Sequence, residues 1–142
     1  MILPILKYGN KKLRKKCKNI KKKKIINKLI NNMFDTMYYN NGIGLSAPQI
    51  GKNINLFIIG INNKKMVFIN SKIINFNKKV ILSKESCLSI PNIYVNIYRK
   101  KKILVKFYNK KWKKKIINLK NIYSIIFQHE LDHINGKLII DY

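Results

Sequence analysis

Apolar and polar residues repeat along the chain with two different periods, which divide it into helical and extended segments. Between residues 21 and 39, apolar side chains recur every three or four positions, with Lys and Asn between them. This spacing predicts an amphipathic helix whose apolar stripe lies in the core. The residues of the stripe are Ile25, Ile26, Leu29, Ile30, Met33, Phe34, Met37 and Tyr38.

The middle of the chain has the pattern of short strands rich in Ile, Val and aromatic residues. Gly42, Gly44 and Pro48 first interrupt regular structure. We therefore expect a tight loop or edge segment that exposes its backbone over 42–51. The predicted strands that follow are Asn55–Ile61, Lys65–Asn70, Ile73–Leu82, Ile93–Tyr98, Ile103–Tyr108 and Trp112–Ile117.

Helical periodicity returns over residues 120 to 135, and Gly136 is well placed to end that helix in a left-handed conformation. One stripe of this helix is apolar and carries two histidines, which should emerge from a buried face. Its residues are Ile122, Ile125, Ile126, His129 and His133. The order helix, strands, helix predicts one α+β domain over residues 1–142, with largely antiparallel sheets around a central C-terminal helix.

Charge and cysteine content limit the class of protein. The 142 residues suffice for one domain with a modest core. Lys and Arg total 31 against 5 Asp and Glu, a net charge of +26 that would attract RNA or the ribosome weakly. The Lys, Ile and Asn usage of an AT-rich genome explains the same lysines. Two cysteines without a CxxC pair and no apolar run long enough to cross a bilayer predict a cytoplasmic protein without membrane contact.

The segment from Gln128 to His133 holds the strongest chemical signal. On a helix, His129 and His133 lie four residues apart on one face and can bind one ion, while Glu130 projects beside them. The spacing is that of H-E-x-x-H metallohydrolases, in which the glutamate is the general base. Two satisfied histidines in a helix are the alternative interpretation.

A catalytic zinc or iron site needs about three protein ligands and an open position. The candidate for the third ligand is Cys87, although a lone cysteine is more often a buried free thiol. Three of the five acids, Glu85, Glu130 and Asp132, lie beside this cysteine or the histidines. In a chain with so few acids, that placement indicates a chemical requirement.

Two other functions fit parts of the pattern. An H-E-x-x-H endopeptidase usually takes its third ligand downstream of the second histidine, where this sequence offers only Asp141 as an ionisable acid or imidazole. An upstream cysteine fits better. A basic RNA-binding or ribosomal protein with a structural metal would explain the lysines, but the chain lacks clustered basic and aromatic motifs.

Three segments together resemble the signature motifs of peptide deformylases, GxGLAAPQ, EGCLS and QHExDH. They are 42–51, 85–91 and 128–133, in the family's order and at suitable separations. The resemblance extends over nearly the whole chain. It implies a metal-dependent hydrolase that removes the formyl group from the N-terminal formylmethionine of nascent polypeptides and releases formate.

The resemblance also implies a role for individual residues. Cys87, His129 and His133 would bind one divalent ion, most often Fe(II) in the family, with Zn(II), Ni(II) or Co(II) able to replace it. Glu130 would be the general base. The Gln49 side-chain amide and the Leu88 backbone N–H would stabilise negative charge on the formyl oxygen.

Further residues are candidates for substrate binding and for support of the ligands. The loop that contains Ile43, Gly44 and Leu45 could pair with an extended peptide as an added strand. Ile122, Ile125 and Ile126 could line a methionine pocket, although core packing explains them about as well. Ion pairs among Glu85, Arg99 and Asp132 could orient the ligands, with surface salt bridges as the alternative.

The sequence departs from the family's pattern at two positions inside the motifs. Ser46 stands where the family usually has alanine, and Ser86 where it has glycine. If that glycine needs a positive φ, Ser86 would strain the turn by on the order of 1 kcal/mol. The sequence ends at Tyr142, whereas many relatives continue into a C-terminal helix that can contact the ribosome, which puts docking through such a helix in doubt.

Overall fold

The elements of secondary structure follow the predicted order in a computed structural model that describes residues 1–21 and 24–142. Three short 3-10 helices, Lys11–Arg14, Ala47–Ile50 and Ile139–Asp141, accompany the main elements. The helices and strands are α1 (Asn27–Tyr39), β1 (Gly44–Ser46), β2 (Leu56–Ile61), β3 (Lys64–Phe76), β4 (Val80–Cys87), β5 (Ile90–Lys100), β6 (Lys102–Tyr108), β7 (Lys114–Lys120) and α2 (Ile122–Ile134).

The strands form two antiparallel sheets. Five strands pair in the order β1-β2-β3-β6-β7, and β4 and β5 form a separate hairpin. The prediction of an α+β fold with largely antiparallel sheets and a C-terminal helix is confirmed. Because β1 lies at the edge of the five-stranded sheet, its outer backbone is not paired by another strand of that sheet.

Helix α1 is shorter than predicted. It begins at Asn27, and positions 22–23 of the predicted helix lie outside the described residues. Ile25 precedes the helix and is 88% exposed, and Tyr38 is 44% exposed, so their assignment to the core stripe is wrong. The rest of the stripe, from Ile26 to Met37, does lie in the core or pack against it.

The strand predictions fail at turns that carry no Gly or Pro. The single strand expected over 73–82 is two strands, since β3 ends at Phe76 and β4 begins at Val80. Strand β7 begins at Lys114 and not at Trp112, because Trp112 has a φ of 61° in the turn that joins β6 to β7. Because Asn and Lys occur throughout this chain, residue propensities do not distinguish such turns from strands.

Helix α2 packs across the five-stranded sheet through aromatic side chains. The ring of Phe127 meets those of Phe57 and Phe68 edge to face, with centroids 5.0 and 5.2 Å apart. All three side chains are fully buried. This packing fixes the helix that carries both histidines. Among the described residues, no helix is long and apolar enough to span a membrane.

Candidate functional site

Helix α2 brings His129 and Glu130 to one end of a cavity and buries His133 one turn further along the helix. The two imidazole rings lie on the same helix face with centroids 5.3 Å apart. The helix ends at Ile134, and Gly136 follows with a φ of 75°, as predicted for a left-handed stop. A Cβ at Gly136 would also collide with the backbone carbonyl of Arg14, so glycine is required there on two grounds.

Cys87 comes to the histidines from the hairpin of β4 and β5. Its Sγ lies 3.3 Å from His133 Nε2, and one ligand atom from each of Cys87, His129 and His133 falls within 4.8 Å of the others. A register shift between Glu85 and Cys87 turns the thiol toward α2. Ser86 is exposed and does not have a positive φ, so the strain considered for this position is absent.

The electrostatics of these three residues suit a divalent cation. Burial lowers the pKa of His129, but Cys87, Glu130 and Glu85 outweigh it and raise the pKa to about 10. Burial lowers the pKa of His133 well below its usual value, so this imidazole is neutral. Negative groups therefore surround His129, while His133 offers a lone pair. A thiol and two imidazoles in this setting fit a divalent metal.

A buried ion-pair network supports His129 from behind. Arg99 donates from Nε and Nη2 to the two oxygens of Glu85 at 2.8 and 2.7 Å, and from Nη1 to Asp132 at 2.7 Å. Glu85 Oε1 also lies 2.9 Å from His129 Nδ1. Burial would raise the pKa of Glu85, but hydrogen bonds from Arg99 and His129 lower it to about 2. Glu85 is therefore an anion that leaves His129 Nε2 free to face the cavity.

Gln49 reaches the same site from the 3-10 helix after β1. Its Nε2 lies 3.6 Å from Cys87 Sγ and 3.1 Å from Ser89 Oγ. The backbone N–H and the hydroxyl of Ser46 both donate to Gln49 Oε1 at 3.0 Å. The serine that departs from the family's alanine thus adds a hydrogen bond that directs the Gln49 amide toward the cysteine.

Glu130 is buried beside the proposed ligands. Its Oε1 has no hydrogen-bond partner, and Oε2 lies 3.9 Å from His129 Nε2. Burial raises the pKa of Glu130 to about 7, so the carboxyl can both take and release a proton near neutral pH. A Cβ at Gly44 would come within 2.8 Å of Glu130 Oε2, so only glycine leaves room for the carboxylate at this point of β1.

An open cavity of about 570 Å³ leads to these groups. One wall is the segment before β1 and β1 itself, another is the hairpin of β4 and β5, and a third is the first turns of α2. The predicted substrate residues that line it are Ile43, Gly44, Ile122, Ile125 and Ile126. Leu88 also lines the cavity, and its carbonyl accepts a hydrogen bond from Lys7 Nζ.

Leu45 lies apart from the cavity. Its side chain is fully buried in the cluster that joins α1 to the sheet. It can therefore offer only its backbone to a bound peptide. Ile122, by contrast, is 45% exposed at the cavity mouth and does not belong to the buried part of its helix stripe.

Sequence analysis assigned no individual role to two residues that support the site, Gln128 and Tyr142. The Gln128 side chain bonds to both the N–H and the carbonyl of Lys100, which fastens α2 to β5. Tyr142 Oη lies 2.7 Å from Asp132 Oδ2 and 2.9 Å from Arg99 Nη1. Gln128 belongs to a motif, but no spacing or periodicity singles out Tyr142.

Comparison with known proteins gives consistent matches over the whole length. The sequence model described as polypeptide deformylase matches residues 2–142. The peptide deformylase of Karelsulcia muelleri is 57% identical, across 99% of this chain and 78% of that protein. The peptide deformylase of Buchnera aphidicola is 45% identical, across 99% of this chain and 97% of that protein.

Solved structures agree in fold. The crystal structure of peptide deformylase from Thermotoga maritima superposes with a TM-score of 0.96 at 37% identity, covering 99% of this chain and 97% of that one. The peptide deformylase of Synechococcus elongatus, crystallised in complex with actinonin, superposes with a TM-score of 0.94 at 31% identity, covering 98% of this chain and 77% of that one.

Proposed function

Because the chain belongs to the peptide deformylase family, we propose that Cys87, His129 and His133 bind the divalent metal with which it works. The enzyme removes the formyl group from the N-terminal formylmethionine of newly synthesised polypeptides and releases formate. The observation that carries the ligand assignment is the approach of the three ligand atoms to within 4.8 Å of one another. Residues 1–142 would then be one catalytic domain.

Each proposed residue has a distinct task. A divalent ion would polarise the formyl oxygen and lower the pKa of water toward neutrality. Glu130 would take a proton from the attacking water and deliver it to the departing amine nitrogen, a task supported by its raised pKa. The Gln49 amide and the Leu88 backbone N–H would donate to the formyl oxygen as it gains negative charge.

The cavity explains how one enzyme can accept many polypeptides. The outer edge of β1 is not paired in its sheet, so an extended peptide can add to the sheet beside Gly44 and Leu45 through backbone hydrogen bonds. Ile43, Ile125 and Ile126 would contact the methionine side chain, and Ile122 would lie at the entrance. Backbone pairing places little demand on the sequence beyond the first residue.

Formate release from formyl-Met-Ala-Ser by metal-loaded protein tests this assignment. Cys87→Ala should lose the metal and the activity, because it removes one of three ligands. Cys17→Ala is the matched control, since this second thiol packs against the core cluster that contains Phe127 and is not one of the three converging ligands. Metal retained at full occupancy in Cys87→Ala would contradict the ligand set.

We propose Fe(II) as the physiological ion. One thiolate and two imidazoles accept Fe(II), Zn(II), Ni(II) and Co(II), and the family resemblance favours iron. Protein purified without oxygen should contain about one iron per chain by elemental analysis and lose activity on exposure to air. Protein that contains zinc alone and is fully active would contradict this choice. We also expect actinonin to inhibit, as it binds the Synechococcus elongatus relative.

We further propose a weak electrostatic contact with RNA on the outer face of the five-stranded sheet. Lys72 stands opposite Lys106 in the β3–β6 pair, and Lys102 opposite Lys120 in the β6–β7 pair. Like charges directly opposite each other destabilise a sheet, and a phosphate backbone would relieve that repulsion. No acid lies on this face, because all five acids form the site or the ion pairs of residues 1 and 14.

Binding of a fluorescent 20-nucleotide oligo(U) across a salt series tests the RNA contact. Lys114 and Lys72 are the lysines whose charges act on Lys106. Replacing Lys72, Lys106 and Lys114 together by Gln should lower the slope of log K against log salt by about 2, at roughly 0.7 per single-strand phosphate contact. The control replaces Lys28, Lys52 and Lys78 by Gln, which removes the same charge from other surfaces. Equal slopes in the two triple variants would contradict a contact on this face.

A further inference from the structure

The Tyr142 side chain closes the ion-pair network on the side away from the cavity. Its ring lies 4.9 Å from the guanidinium carbon of Arg99, and Lys137 Nζ lies 3.8 Å from the same ring. Its hydroxyl donates to Asp132 Oδ2 at 2.7 Å and accepts from Arg99 Nη1 at 2.9 Å. Arg99, Asp132 and Tyr142 therefore form a triangle in which every pair is bonded.

Hydrogen bonds connect Arg99 of this triangle, through Glu85, to the proposed metal ligand His129. Arg99 also donates from Nε and Nη2 to the two oxygens of Glu85, and Glu85 Oε1 lies 2.9 Å from His129 Nδ1. Arg99 is only 3% exposed and Glu85 6%, so neither side chain can turn to water for other partners. A buried guanidinium with fixed donors can hold only one orientation of the carboxylate.

We propose that Tyr142 is a positioning residue, whose hydroxyl fixes Arg99 and, through Glu85, the orientation of His129 in the metal site. This inference rests on the proposed ligand set. The Arg99 Nη1 group would otherwise have Asp132 as its single partner, and Asp132 is the most exposed carboxylate of the network. Tyr142 gives both groups a second bond and thereby prevents the pair from opening to solvent.

The chemistry of the phenol suits this role. Burial and the hydrogen bond to Asp132 raise the pKa of Tyr142 to about 12, so the hydroxyl stays protonated and can donate at any pH at which the enzyme works. Phenylalanine at this position would keep the ring over Arg99 and Lys137 but lose both hydrogen bonds. Tyr142→Phe therefore separates positioning by the hydroxyl from packing by the ring.

Loss of Co(II) from the loaded protein to excess EDTA provides a readout besides activity. In Tyr142→Phe the metal should leave on the order of 10-fold faster, near the lower limit for the loss of an outer hydrogen-bond partner of a metal ligand. The visible absorption bands of the Co(II) protein should shift, because His129 turns. In formate-release assays kcat should fall while KM changes little, since the peptide walls of the cavity are unaltered.

Two controls isolate the path of the effect. Tyr39→Phe removes the hydroxyl of a tyrosine that is 69% exposed, and it should change none of these measurements. In an Arg99→Lys background, Tyr142→Phe should add nothing further to the rate of metal loss, because the group through which it acts is gone. Additive effects in the double variant would overturn the path through Arg99.

The outcomes separate this inference from the ligand assignment. A Tyr142→Phe protein with a lower melting temperature but unchanged metal loss and Co(II) spectrum would overturn the positioning role and leave a purely structural one. Wild-type protein that binds Co(II) without the charge-transfer band of a thiolate ligand would instead overturn the assignment of Cys87, and this inference with it.

Discussion

The candidate metal site and the outer face of the five-stranded sheet differ in how their positive charges are balanced. At the site, Glu85, Glu130 and Asp132 are buried or half-buried against Arg99 and His129. On the sheet face, lysines stand opposite lysines with no carboxylate between them. The chain has 5 acids for 31 basic residues, and three of the five lie at or beside the candidate metal site.

The difference teaches which charges the fold depends on. A buried pair interacts strongly and is hardly screened, so removing one partner leaves a charge that water cannot reach. Interactions between exposed lysines more than about 8 Å apart are largely screened by salt at physiological ionic strength. Substitutions at the site should therefore have large effects that are insensitive to salt. Substitutions on the sheet face should have small effects that disappear as salt is added.

The largest expected effect is that of Glu130→Ala. Loss of the proposed general base should lower kcat by roughly 100-fold to 10,000-fold, while Cys87 and the histidines still bind the metal. Formate release and metal content, measured on the same preparation, check this. Asp35→Asn is the control, because Asp35 is exposed and pairs with the Met1 amine. Activity within a few-fold of wild type in Glu130→Ala would rule out Glu130 as the base.

The next effect concerns the stability of the buried network. Arg99→Gln should destabilise the fold by about 3–5 kcal/mol, the usual cost of leaving a buried carboxylate without its partner. Urea unfolding would measure this at two salt concentrations. Arg14→Gln is the matched control, because Arg14 pairs with Asp141 at an exposed position. If the loss of unfolding free energy in Arg99→Gln fell to that of Arg14→Gln at high salt, the buried network would be screened like a surface pair, contrary to this expectation.

The sheet face should show the reverse behaviour. Lys114, and to a smaller extent Lys72, lower the pKa of Lys106 through like-charge repulsion. The Lys72, Lys106 and Lys114 to Gln variant should therefore melt at a higher temperature than wild type at low salt, and at the same temperature at high salt. Wild type itself should gain stability with moderate salt. A melting temperature that stays flat across the series would refute both expectations.

A smaller catalytic effect is expected at Ser46. Ser46→Ala restores the residue usual in the family and removes one hydrogen bond to Gln49 Oε1. The backbone N–H of residue 46 still donates to that oxygen, so the amide is loosened and not released. We expect kcat to fall by about 3-fold, which corresponds to part of one hydrogen bond. Ser83→Ala, which changes another hydroxyl on the cavity wall, should leave kcat unchanged.

The smallest effect is a pH dependence from the exposed pair of Arg14 and Asp141. A hydrogen bond from Arg14 holds the pKa of Asp141 below its usual value. A lowered pKa contributes stability above the unfolded pKa of about 4, and that contribution is lost as the pH falls through the folded value. Asp141→Asn should flatten the stability profile below about pH 4. In an Arg14→Gln background the same substitution should flatten the profile less, because only the Leu138 N–H and the charge of Lys137 still lower the pKa of Asp141.

Much of the site could be predicted because its signals are local. The spacing of His129 and His133 on one helix, and the glycines around Ile43, constrain chemistry within a few residues. The turn between β3 and β4 was missed because it contains Asn and Lys, which occur everywhere in this chain. The start of α1 was missed because Ile25 continues the period but has no sheet to face.

The contributions of Ser46 and Tyr142 could not be predicted from the sequence. Ser46 was recognised only as a departure from a motif, and its bond to the Gln49 amide depends on the turn after β1. Tyr142 meets Arg99 across 43 positions of sequence. Neither contact leaves a periodic or compositional trace.

The sequence by itself determined the family and predicted the types of ligand and the general base, because these are set by residue identity and short-range spacing. The tertiary structure decided how they meet: Cys87 Sγ reaches His133 Nε2 across 46 positions, since the β4–β5 hairpin and α2 pack against the same core. It also decided which charges are buried and paired and which stay exposed on the sheet. That division depends on long-range packing, and no local pattern encodes it.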